Sequence, residues 1–161
     1  MNTHEPPGLF PAVYAGDEDA VVRLLRAGVG PESVDEDGQT ALYLAAVSDE
    51  PGIVRLLLAA GAAPDRLSGG ADSPLCGAAC GGHTEVVRAL LAAGASPDLE
   101  EAYGFRALTW AVQRGHAPVV AELLAAGADP NLPGPGGEPL LVVAARRGSP
   151  GCVRALSLIH I

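Results

Sequence analysis

Cys76, Cys80 and His83 lie within one eight-residue stretch, a cluster of the soft ligands that hold zinc. A structural zinc site takes four ligands, and no fourth Cys or His stands nearby, so no metal is expected. His83 and His116 each follow a glycine and are 33 residues apart. Neither has a Ser or Cys nucleophile in a triad arrangement, and recurrence at fixed spacing points to a structural role. Gly69-Gly70 and Gly134-Pro135-Gly136-Gly137 are glycine-rich, but the chain contains no lysine, which excludes a Walker-type phosphate loop. The carboxylate pairs Asp35/Asp37 and Glu100/Glu101 fall in predicted turns without the cleft that glycoside chemistry needs. Asp35-Glu36-Asp37-Gly38 is too short for a calcium loop. No catalytic residue, cofactor or metal is therefore expected, and the chain is not read as an enzyme.

These residues sit on a repeat. Gly28, Gly61, Gly94 and Gly127 recur every 33 residues, and Pro31, Pro64, Pro97 and Pro130 follow with the same period. A third register runs through Gly16, Asp49, Gly82, Gly115 and Gly148. In the third unit, Ser73 is placed to cap a short helix and Pro74 suits its first position. Gly81-Gly82 ends that helix. A second begins near His83-Thr84-Glu85, with Val86, Val87, Leu90 and Leu91 as its apolar face. Gly94 then ends it in a left-handed conformation. Two short helices cannot bury their apolar faces alone, so such units must stack on one another as a solenoid. Ala45-Ala46, Ala78-Ala79 and Ala144-Ala145 allow adjacent units to approach closely.

Ten basic and nineteen acidic residues give the 161-residue chain a net charge of −9. That sign opposes nucleic acid and anionic membranes. No apolar run is long enough for a membrane span, so no membrane insertion is expected. No signal peptide is visible, and three cysteines are an odd number for a disulfide framework. A cytoplasmic monomer is expected, and the Ala-, Gly-, Pro- and Arg-rich usage suggests a bacterial source.

Thr40-Ala41-Leu42-Tyr43-Leu44-Ala45-Ala46 and Ser73-Pro74-Leu75-Cys76-Gly77-Ala78-Ala79 resemble the first-helix motif of the ankyrin-repeat family. Gly82-His83-Thr84-Glu85-Val86-Val87 and Gly115-His116-Ala117-Pro118-Val119-Val120 resemble its second-helix start, and Gly127-Ala128-Asp129-Pro130-Asn131 its loop. The resemblance implies an all-α ankyrin-repeat solenoid of stacked helix-turn-helix units joined by β-hairpin-like loops. A flexible terminus over 1–6 is expected, then units at about 7–34, 35–67, 68–100, 101–133 and 134–155, the first being a cap without its hairpin. Arg106 and Pro139 stand where the family has Thr, so those helices lose a hydroxyl cap. Tyr43, Cys76, Thr109 and Val142 replace its His. Pro133 and Pro135 predict an irregular fourth-to-fifth hairpin. Trp110 is expected in the core, whereas Tyr103 and Phe105 are expected to be exposed at a hairpin tip.

The resemblance further implies a non-enzymatic module that binds a protein through a concave surface of hairpin tips and first-helix ends. Carried over position by position, that surface comprises Glu36, Asp37, Gln39, Val47 and Ser48 in the second unit, and Asp72 and Cys80 in the third. The fourth unit adds Tyr103, Phe105, Gln113 and Arg114, and the fifth Glu138, Arg146 and Arg147. Acidic residues give way to aromatics and then arginines along the array. A partner segment with basic residues at one end and acidic or aromatic residues at the other would be complementary to that gradient. The alternative is a regulatory or targeting segment of a larger protein, enzymatic or not.

Residues 156–161, Leu-Ser-Leu-Ile-His-Ile, depart from the pattern, and CTG TCT CTT ATA CAC ATC, a back-translation of them, resembles a transposase mosaic-end adapter. The expectation is a non-native tail on a gene that continues. A stop codon after Ile161 in independently sequenced genomic DNA would contradict it.

Overall fold

The computed structural model describes residues 8–158. The expected flexible terminus over 1–6 and the last three residues of the atypical tail lie outside them. Ten α-helices form among the described residues, two per unit. They are α1 (Leu9–Ala15) and α2 (Glu18–Arg26), α3 (Ala41–Val47) and α4 (Pro51–Ala59), α5 (Pro74–Gly81) and α6 (Thr84–Ala92), α7 (Ala107–Arg114) and α8 (Ala117–Ala125), and α9 (Leu140–Arg146) and α10 (Pro150–Ser157). The first helices make one layer, with α5 between α3 and α7; the second helices make the other, with α6 between α4 and α8. This is the stacked helical solenoid that the repeat predicts.

Local chemistry sets the boundaries. Thr40 Oγ1 accepts from the Tyr43 N–H at 3.1 Å and Ser73 Oγ from that of Cys76 at 3.1 Å, satisfying donors that a helix start leaves open. Arg106 and Pro139 provide no such cap. The Arg106 guanidinium instead donates to Glu100 at 2.5 Å and to the Pro133 carbonyl at 3.2 Å, tying two loops together. Gly94 ends its helix at φ 93°, a backbone that suits glycine. Asp49 takes the same left-handed region, at φ 55°, where the register otherwise supplies glycine.

Each hairpin is closed by a backbone bond across its base, and the one at Ser68 and Asp72 by a reciprocal pair. Asp35 donates to Gln39 at 3.0 Å, Ser68 to Asp72 at 2.7 Å, and Glu101 to Phe105 at 2.7 Å. Gly134 donates to Glu138 at 3.0 Å. The proline-flanked hairpin of the fifth unit thus keeps the closure of the others, because the donor falls on Gly134 and not on Pro133 or Pro135.

The core is a repeat of small and large residues. Ala12, Ala45, Ala78, Ala111 and Ala144 share one register and are all buried. Leu57, Leu90, Leu123 and Leu156 share another and are also buried. Leu156, the first residue of the atypical tail, therefore packs like its counterparts, and α10 runs to Ser157.

Side chains also stitch unit to unit. Glu32 accepts from the Ala63 N–H at 2.6 Å, Asp65 from Ser96 at 2.9 Å, and Asp98 from Asp129 at 3.0 Å. His83 Nε2 lies 3.2 Å from the Val47 carbonyl, and His116 Nε2 3.1 Å from that of Cys80. The two recurrent histidines thus hold the ends of preceding first helices, the structural role expected of them.

Candidate functional site

The hairpin tips and first helices share one face, and its centre is a groove of about 400 Å³. Helix α5 forms the floor through Cys76, Gly77, Cys80 and Gly81. Tyr43 and Val47 of α3 make one wall, and Trp110 of α7 the other. Asp72 and Glu101, from successive hairpins, line it as well. Its width depends on Gly77: a Cβ there would lie 2.7 Å from Val47 Cγ1 and 3.1 Å from the Tyr43 ring.

Trp110 is packed against the core but is not fully inside it. It is half-buried, in register with Leu44 and Gly77, which are also half-buried. The fully buried positions of α7 are Ala107, Leu108, Thr109, Ala111 and Val112. Phe105 is likewise not a free tip residue. Its ring stacks on Trp110 with centroids 4.4 Å apart, leaving Phe105 half-buried. Tyr103 does project, 90% exposed. Its φ of 64° is left-handed, where Gly70 and Gly136 occupy the equivalent positions of neighbouring units. A bulky residue in that region is strained.

The other residues selected from the sequence fall on either side of this groove. Val47, Asp72 and Cys80 line it. Glu36, Asp37 and Ser48 are exposed towards the second unit. Gln39 is committed to structure: its Oε1 accepts from Ser68 Oγ at 2.6 Å, and that hydroxyl oxygen accepts from the Thr40 N–H at 2.9 Å. Gln113 is half-buried and Arg114 exposed at the end of α7. In the fifth unit Arg146 forms two bonds to Glu138, at 2.6 and 2.8 Å, which neutralises part of the arginine end of the gradient. Arg114 and Arg147 have no ion-pair partner among the described residues.

Tyr43, Cys76, Gly77, Gly81, His83, Glu101 and Trp110 line the groove without having been selected. Helical spacing carried part of that signal, since Tyr43 is four residues before Val47 and Cys76 four before Cys80. Glu101 is held in place: Oε1 accepts from the Ser73 N–H at 2.6 Å, and Oε2 lies 3.4 Å from the Trp110 indole nitrogen.

Burial pushes the Cys76 thiol up to about 12, with the Ser73 hydrogen bond opposing and Glu101 and Asp72 reinforcing the shift. It is a protonated packing residue at neutral pH, not a nucleophile. Because its folded value is raised from 9.0, its stabilising contribution is present below pH 9 and is lost as pH rises towards 12. Urea midpoints measured from pH 8 to 11 are expected to fall more steeply for the native chain than for Cys76→Ala; parallel profiles would contradict the assignment.

The cysteines are unpaired, with Cys76 and Cys152 buried. Among the described residues, no group of three or more His, Cys, Asp or Glu is arranged to hold a metal ion. No helix among them is long and apolar enough to cross a membrane.

A family model for ankyrin repeats, built of three copies, matches residues 9–101 and again 52–134. No curated protein matches the chain. Ankyrin repeats are generally protein–protein interaction modules. Repeat period, paired helices, hairpin closures and this match agree, and the chain belongs to the ankyrin-repeat family.

Proposed function

We propose that the chain is a non-enzymatic module that binds a protein partner through its hairpin face, as a cytoplasmic monomer. The observation that carries this reading is Tyr103. A 90% exposed aromatic held in a left-handed conformation serves no packing purpose, and neighbouring units relieve that position with glycine. Strain of this kind persists where a surface is used, and exposed Tyr and Arg are the residue types that anchor interfaces.

The test uses Tyr103→Ala and Arg114→Ala together, leaving Phe105 to buttress Trp110. A partner recovered by affinity capture and measured by calorimetry is expected to bind the double variant at least about tenfold more weakly, or about 1.4 kcal/mol. Helical circular dichroism should be unchanged. Equal affinity would remove this face from the account.

A second reading, a segment of a larger repeat-bearing protein, is favoured by the outer face of the fifth unit. Leu141 is 40% and Val142 50% exposed, whereas Leu42, Leu75 and Leu108, the counterparts of Leu141, are 1–2% exposed. A further stacked unit would bury both, and the genomic reading frame tests for one.

A further inference from the structure

We propose that the groove over Gly77 receives an arginine side chain of the protein partner, a reading that rests on the hairpin face being the docking surface. Three features of the groove select that chemistry.

The first is aromatic. Trp110, backed by Phe105 at 4.4 Å, and Tyr43 line the space that Gly77 leaves open. A planar guanidinium stacks on such rings, and its apolar stem fills the space between them.

The second is charge. Asp72 and Glu101 both line the groove, and no arginine among the described residues does. The one imidazole present, His83, directs Nε2 to the Val47 carbonyl and has Nδ1 3.7 Å from Asp49. The Tyr43 phenol is pushed up, by burial first and then by Asp72 and Glu101, as expected of an acidic site. A forked guanidinium can donate to two carboxylates while it stacks; a lysine ammonium can also bridge carboxylates, but it has no planar face to lay on the rings.

The third is that the fold does not require this composition. The backbone N–H at Thr40 is satisfied by a neutral hydroxyl from Ser68 of the next unit. The equivalent N–H at Ser73 is satisfied by a carboxylate from Glu101, which stands in the register of Ser68. A charged residue performs a task that serine performs one unit earlier, and it stands beside the only tryptophan of the chain. The bonds to Ser73 and Trp110 hold that carboxylate in position before any ligand arrives, which lowers the ordering cost of binding.

The single tryptophan gives a single indole N–H resonance, and that is the readout. N-acetyl-arginine amide, added to the 15N-labelled chain to tens of millimolar, is expected to move the Trp110 indole peak saturably. The neutral isostere N-acetyl-citrulline amide should bind at least about fivefold more weakly, and N-acetyl-lysine amide about threefold. Asp72→Asn, an exposed change, should weaken the arginine probe about threefold with helical content intact. An unmoved indole peak, an equal response to citrulline, or an equal response to lysine would each overturn the assignment. The two readings fail separately. Partner binding that depends on Tyr103 and Arg114 without an arginine-induced shift leaves the docking face and removes the arginine site. A saturable shift with partner affinity unaffected by those substitutions leaves the site and removes the docking face.

Discussion

Leu90→Ala is expected to cost about 3–5 kcal/mol and to split a single unfolding transition into two. Leu90 is fully buried in α6, the central second helix, with α4 on one side and α8 on the other. Removing three carbons there opens a cavity whose walls belong to three units. A stacked array is stabilised by each unit and by each junction, so a cavity at the centre weakens both junctions of that unit. The outer pairs should then unfold at different urea concentrations, seen as a broadened transition with a lower apparent m value. Leu156→Ala makes the same chemical change in the fifth unit, whose α10 meets α8 on one side. Its cost should be roughly half and its transition should stay sharp. Equal losses at the two sites would contradict a one-dimensional stack.

Ala78→Leu tests the other half of the core in the opposite sense. Five alanines in one register keep the first helices close, and Ala78 is the middle one, fully buried in α5 between α3 and α7. A leucine adds three carbons at a position with no exposed surface, which is expected to cost about 1–3 kcal/mol or more. At about 2–4 °C per kcal/mol for a domain of this size, the melting temperature should fall by about 2–12 °C. Ala92→Leu, at an exposed position of α6, is the control and should change little. A tolerated Ala78→Leu would mean that first-helix spacing is not set by small residues.

The repeat was legible because three residue types returned at one period, and each has a physical cause: glycine for left-handed backbone, proline for the outgoing loop, alanine for close helices. Phase within a helix was less legible. Trp110 stands between the buried Thr109 and Ala111, and only its register with the half-buried Leu44 and Gly77 marks it as facing the groove. Phe105 was misread because its burial comes from a loop folding back onto Trp110, which spacing along the chain does not encode. Glu101 was read only as half of a solvated acidic pair. Its role appears once Ser73, 28 residues earlier, is brought within 2.6 Å. Val47, Asp72 and Cys80 were legible because hairpin tips and helix ends mark one face of any such array.

The central claim is that a protein docks on the hairpin face. Backbone amide hydrogen exchange, compared with and without the captured partner, tests it most directly. Protection is expected in the hairpins at 36–39, 69–72 and 102–105 and at the ends of α3, α5 and α7. Protection confined to the exposed side of the second helices, around Arg55 and Arg88, would contradict it.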